Sequence, residues 1–221
     1  MNNRVLVTGS SRGIGKAIAL KLAASGFDIA LHYHSNQTAA DETAAQIRTL
    51  GVNVSLLKFD VADRAIVRAA IEADIEANGA YYGVILNAGI NRDTAFPAMT
   101  ESEWDSVIHT NLDGFYNVIH PCVMPMVQGR KGGRIINLAS QAGTVAIDLH
   151  TAYVASKFGV IGLTKSLALE WGKHGITVNS ISPTVVLTEL GRRAWDNPKG
   201  EALKAQIPSG RLAEPEEIAA A

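Results

Sequence analysis

Apolar and polar positions along the chain follow two alternating periods. Short apolar runs rich in β-branched residues read as buried strands: RVLVT (4–8), FDIALHY (27–33), VNVSLLKF (52–59), YGVILNAG (82–89), GRIINLAS (133–140) and ITVNSIS (176–182). Between them the apolar positions recur every three to four residues. That spacing predicts helices over 13–25, 37–50, 63–78, 101–128 and 152–173. Strands alternating with helices argue a parallel sheet with helices on both faces and right-handed crossovers. EPEEIAAA (214–221) starts a further helix, with Pro215 in its first turn and Glu216 and Glu217 at the positive end of its dipole. The whole of 1–221 reads as a single domain, with no repeat, linker or low-complexity segment.

Composition narrows this picture. The chain has 221 residues, enough for one sizeable core, and a formal net charge of -1, so no nucleic acid and no membrane surface is expected as partner. The one cysteine, Cys122, excludes an internal disulfide and suits a reducing, cytoplasmic compartment. MNNRVLVTG lacks the apolar stretch of a secretion signal, and no apolar run approaches the roughly 20 residues that span a bilayer. The six histidines show no His-x-x-x-His spacing with a carboxylate, so no catalytic metal is expected.

The polar clusters fall at the carboxyl ends of the strands, where ligands bind in such sheets. In VLVTGSSRGIGK (5–16), Gly9, Gly13 and Gly15 are spaced G-x-x-x-G-x-G. This is neither G-x-G-x-x-G nor a P-loop, since Ala17 follows Lys16. Its place between the first strand and the first helix points to dinucleotide phosphates on a helix N-terminus. The second strand ends Leu31-His32-Tyr33-His34-Ser35-Asn36, without the carboxylate that reads a ribose 2′-hydroxyl. Arg12 offers a guanidinium fork suited to a 2′-phosphate. NADP(H) is therefore expected ahead of NAD(H), which stays possible.

Tyr153 and Lys157 lie four residues apart in TAYVASKFG and share a helix face. A nearby ammonium lowers a tyrosine pKa, so the pair suits acid/base chemistry. The same spacing also suits a packed tyrosine beside a snorkelling lysine. Ser140 ends the fifth strand, where its hydroxyl could meet a substrate carbonyl or simply cap a turn. Asn111 interrupts the long helical region, where it could widen the helix and hold a water near Lys157, or mark a kink.

Together, Thr8-Gly9-x-x-x-Gly13-Ile14-Gly15, Asp60-Val61, Asn87-Ala88-Gly89, Asn111, Ser140, Tyr153 and Lys157 resemble the short-chain dehydrogenase/reductase family over essentially the whole chain. The resemblance implies a Rossmann-type, doubly wound, three-layer α/β fold and hydride exchange with nicotinamide. It implies Tyr153 as acid/base, Lys157 as its activator and ribose ligand, Ser140 as carbonyl ligand and Asn111 as part of a proton relay. Gly9, Ser11, Arg12, Gly13, Ile14, Gly15, His34, Asp60, Val61, Asn87, Ala88, Gly89, Pro183, Val186 and Thr188 would hold the cofactor with Tyr153 and Lys157. Substrate would meet Ser140, Gln141, His150 and Tyr153, under a lid at about 187–210 that includes Trp195.

The chain departs from the family in reading Pro183-Thr184 for Pro-Gly, and it stops before the family's last strand, whose absence is expected. Residues 1–137 look most like 3-oxoacyl-[acyl-carrier-protein] reductases and 138–221 more like polyol or sugar dehydrogenases and xylulose-type carbonyl reductases. The resemblance implies a ketone–alcohol oxidoreductase. A 3-oxoacyl thioester, small or on acyl carrier protein, is the leading substrate and a polyol or ketose the rival; a non-catalytic NADP(H)-binding protein is the reading from another class. Relatives assemble through the helices near 101–128 and 152–173, which implies a homo-dimer or homo-tetramer.

Overall fold

In the computed structural model, residues 3–188 and 197–221 are described. Residues 189–196 of the expected lid, Trp195 among them, lie outside them. Six strands are present among the described residues: β1 (Arg4–Val7), β2 (Asp28–Tyr33), β3 (Val54–Lys58), β4 (Gly83–Leu86), β5 (Gly133–Leu138) and β6 (Ile176–Ile181). They form one parallel sheet in the order β3-β2-β1-β4-β5-β6. The chain runs outward from β1 to β3, then restarts on the other side at β4. Strand order thus reverses between β1 and β4, and a crevice opens at their carboxyl ends.

The helices are α1 (Gly13–Ala24), α2 (Gln37–Thr49), α3 (Arg64–Asn78), α4 (Glu101–Ile108), α5 (Gly114–Gly129), α6 (Thr151–Trp171), α7 (Pro198–Gln206) and α8 (Pro215–Ala220). Strand side chains alternate between two faces. Val5 and Val7 of β1 meet α1 and α2 on one face, with Ile18, Ala19, Ala40, Ala44 and Ile47; Ile218 of α8 packs against this cluster. Leu6 points the other way, into a larger core with Val67 and Ile71 of α3, Phe115, Val118 and Met126 of α5 and Val160 of α6. This is the three-layer, Rossmann-type arrangement.

The helix expected over 101–128 is two helices. α4 opens on a reciprocal capping box between Thr100 and Glu103. His109–Asp113 then forms a π-helical turn before α5 begins. The inserted turn rotates Asn111 into the interior, where it is 5% exposed. No helix of the described residues is long and apolar enough to cross a membrane.

Candidate active site

The glycine loop is braced from three sides. Thr8 is buried, and its hydroxyl accepts the N–H groups of Asn87 (2.9 Å) and Ala88 (3.0 Å). The Asn87 side chain donates to Thr8 O (3.0 Å) and Gly9 O (3.2 Å). Thr43 of α2 donates to Ser11 O at 3.0 Å. Gly9 and Gly13 have φ of +64° and +57°, a region open to glycine and costly for other residues. A Cβ on Gly15 would stand 2.3 Å from Gly9 O, so this glycine lets α1 start directly against the loop. The first-turn N–H groups of α1 have no partner inside the helix. Arg12, exposed at the N-cap, makes no side-chain hydrogen bond or ion pair among the described residues. An unfilled fork of donors and a helix N-terminus, on a loop only glycine can form, suit a dinucleotide diphosphate and a 2′-phosphate.

A cleft of about 270 Å³ continues from this loop across the ends of β4, β5 and β6. It is lined by Ile14, Asn87, Gly89, Ser140, Tyr153, Lys157, Pro183, Val186 and Thr188, among others. The structure thus brings Ser140, Tyr153 and Lys157 together with Ile14, Asn87, Gly89, Pro183, Val186 and Thr188 of the expected cofactor residues. β5 ends at Leu138, and Ser140 caps the short 3₁₀ turn that follows, accepting Ala142 N–H at 3.1 Å. Gln141 N–H donates to Pro183 O at 2.9 Å, tying this turn to the exit of β6.

Burial raises the Tyr153 phenol above its ordinary pKa, while its hydrogen bond with Ser140 pulls the other way. The net shift is upward, against the lowering expected from Lys157. The ammonium stands 5.4 Å from the ring centroid and donates to Leu138 O at 2.6 Å, so burial dominates the tyrosine. Burial also brings Lys157 down from 10.5 to about 8.

Asn111 is not in the cleft lining and makes no hydrogen bond to Lys157. Its amide donates to Ile90 O (2.9 Å) and to Ser156 Oγ (3.1 Å), and accepts Ile90 N–H at 2.8 Å. It fastens the loop after β4 to α6. Between Asn111, Asn137 and Lys157 lies a cavity of about 20 Å³, and the buried Asn137 Oδ1 has no hydrogen-bond partner.

Several expected residues stand apart from the cleft. Val61 is 5% exposed and packs in the core. Asp60 accepts Ala62 N–H at 2.9 Å, and exposed His34 lies 3.8 Å from its carboxylate, beyond the cleft on the β2 side. Gln141 and His150 are not in the cleft lining. His150 pairs with Asp93 at 3.3 Å, with its ring 6.4 Å from that of Tyr153. No local motif marks His32 or Ser156; each is hydrogen-bonded to a partner more than 20 residues away. Among the described residues no cluster of three or more His, Cys, Asp or Glu is placed to hold a metal.

A family model described as "short chain dehydrogenase" matches residues 3–199. The chain belongs to this family. Its members are oxidoreductases that act on CH–OH groups with NAD(P), and this chain is one of them. It is 50% identical over 219 residues to a 3-oxoacyl-[acyl-carrier-protein] reductase, FabG, of Aggregatibacter actinomycetemcomitans, covering 99% of this chain and 89% of that protein. It is 46% identical over 216 residues to D-threitol dehydrogenase of Mycolicibacterium smegmatis, covering 98% and 82%. The crystal structure of acetoin dehydrogenase YohF from Salmonella typhimurium superposes with a TM-score of 0.89 at 34% identity, covering 100% and 87%. The family resemblance read from the motifs and the doubly wound fold are both borne out.

Proposed function

We propose that the chain is an NADP(H)-dependent reductase that converts a 3-oxoacyl thioester to its 3-hydroxy form. The observation that carries the reading is the convergence of Ser140, Tyr153 and Lys157 in one cleft that opens onto the glycine loop. NADP(H), when bound, supplies or accepts the hydride. Arg12 would hold the 2′-phosphate, and the first turn of α1 the diphosphate. Ser140 donates to the substrate oxygen as charge grows there. Tyr153 gives that oxygen its proton, and the Lys157 ammonium eases the phenol's loss of it. Asn111 and Asn137 flank space for about one water beside Lys157, through which the proton is replaced.

The substrate class draws support from the 50% identity to an acyl-carrier-protein reductase. Substrate reaches the cleft free or on acyl carrier protein in the cytoplasm. Exposed apolar residues on α5 (Tyr116, Met124) and α6 (Phe158, Leu169) support assembly of copies through these helices, as a dimer or tetramer. A polyol or ketose is the second reading, favoured by the 46% identity to a threitol dehydrogenase and by the polar His150–Asp93 contact near Tyr153.

Tyr153→Phe should abolish turnover and keep NADPH binding, read by fluorescence titration; retained turnover would overturn the acid/base assignment. Arg12→Ala should weaken NADPH about tenfold and leave NADH unchanged, as loss of a charge-assisted phosphate contact requires. Acetoacetyl thioester, xylulose and threitol, each tried with both cofactors, separate the two substrate readings.

A further inference from the structure

His32 occupies the carboxyl end of β2, beneath the glycine loop, and is 1% exposed. Both ring nitrogens are engaged. Nδ1 lies 3.0 Å from Gly9 N, and Nε2 lies 3.0 Å from Phe59 O. The two partners fix the tautomer. Gly9 N–H can only donate, so Nδ1 presents its lone pair; Phe59 O can only accept, so Nε2 carries the hydrogen. The ring also stacks on Phe59, with centroids 4.0 Å apart. Its own backbone is bound to the same loop: Ser10 N–H donates to His32 O at 2.9 Å, and His32 N–H to Ser10 Oγ at 3.1 Å. One residue thereby ties the turn after β1 to β2 and to the end of β3.

We infer that His32 is a positioning residue for the dinucleotide: as the neutral Nε2–H tautomer it holds Gly9 N–H and sets the path of the loop that receives the diphosphate. The inference rests on the dinucleotide reading given above. Gly9 N–H, spent on His32, is withheld from the ligand, and the chain leaves Gly9 at φ +64° toward the first turn of α1. An imidazolium would set a second N–H against that of Gly9, so the site requires the neutral ring. Burial accordingly brings His32 from 6.5 down to about 4; His34 lowers it further, while the Phe59 bond and Asp60 oppose. His34 and Asp60 are the titratable groups acting on the ring, and Phe59 and Gly9 touch it through uncharged backbone.

The test uses His32→Phe and His32→Asn. Phenylalanine keeps a stacked ring and loses both hydrogen bonds. Asparagine can place an amide oxygen near the Nδ1 position, so it restores the Gly9 bond while losing the stack and the reach to Phe59. NADP⁺ affinity is measured by calorimetry on the intact protein, well below the melting temperature of each variant. The expected result is about a tenfold weaker Kd for His32→Phe, equivalent to about 1.4 kcal/mol. His32→Asn should stay within about threefold of wild type even though it melts lower, since one net hydrogen bond is the quantity at stake. A long-range ¹H–¹⁵N spectrum of the free protein should place the imidazole proton on Nε2. Equal affinity in wild type and His32→Phe, equal loss in both variants, or a proton on Nδ1 each overturns the inference. Wild-type protein that binds neither NADP⁺ nor NAD⁺ overturns the dinucleotide reading together with this one; binding indifferent to His32→Phe overturns this one alone.

Discussion

Gly15→Ala should destabilise the protein and loosen its hold on NADPH, although alanine is the better helix former. The new Cβ would lie 2.3 Å from Gly9 O, 2.6 Å from Asn87 Nδ2 and 2.9 Å from Gly9 C. None of these is the end of a flexible side chain. Gly9 O is backbone, and Asn87 Nδ2 is held between Gly9 O and Thr8 O. Relief therefore requires the start of α1 to retreat by about 1 Å from the loop, the shortfall from ordinary contact. Such overpacking costs about 1–3 kcal/mol, and the helix-propensity gain offsets about 0.5–1 kcal/mol of it. The net loss of roughly 1–2 kcal/mol corresponds to a fall in Tm of about 2–8 °C for a chain of this size. A displacement of that order at the phosphate site should weaken NADPH by about tenfold or more. Gly162→Ala is the control, because it sits in α6 with nothing within 4 Å of its Cβ. There the same substitution should stabilise by about 0.5–1 kcal/mol. Urea unfolding and NADPH fluorescence titration read both effects. Gly15→Ala matching wild type in stability and affinity, or the two variants shifting stability alike, would refute the argument.

Asp74→Ala should lower stability by about 3–5 kcal/mol in urea unfolding, because it strands a partner at 2.7 Å, the largely buried Arg4 guanidinium, along with the buried Tyr81 hydroxyl. Thr100→Ala should cost about 1 kcal/mol by removing the capping box of α4, with turnover unchanged. Lys157 carries a folded-state pKa of about 8 against 10.5, so its buried ammonium opposes folding below pH 8, by about 3 kcal/mol at 1.36 kcal/mol per unit. That penalty disappears as pH rises through 8 toward 10.5. Wild type should therefore gain stability relative to Lys157→Met across that window, and a difference independent of pH would contradict the burial argument.

Much of the architecture was legible along the chain because it is local. A run such as RVLV must expose alternate side chains to opposite faces, and Val5, Leu6 and Val7 do so. The glycines at 9, 13 and 15 announced a turn closed to other residues, and positive φ at two of them with no room at the third is the physical content of that spacing. The four-residue interval placed Tyr153 and Lys157 on one face whatever they pack against.

Long-range contacts and desolvation settled the rest. Whether 101–128 would run as one helix depended on Ile90, whose N–H and C=O draw Asn111 inward through a π turn. The engagement of both His32 ring nitrogens depended on Gly9 and Phe59, 23 and 27 residues away. Val61 turned its side chain to the core. The sign of the Tyr153 shift depended on how deeply a folded cleft buries the phenol and on Lys157 spending its hydrogen bond on Leu138. Periodicity and turn chemistry are properties of neighbouring residues, so order along the chain carries them. A tautomer, a shifted pKa or a buried amide is a property of what surrounds a group in space, and for this chain only the assembled sheet supplied those surroundings.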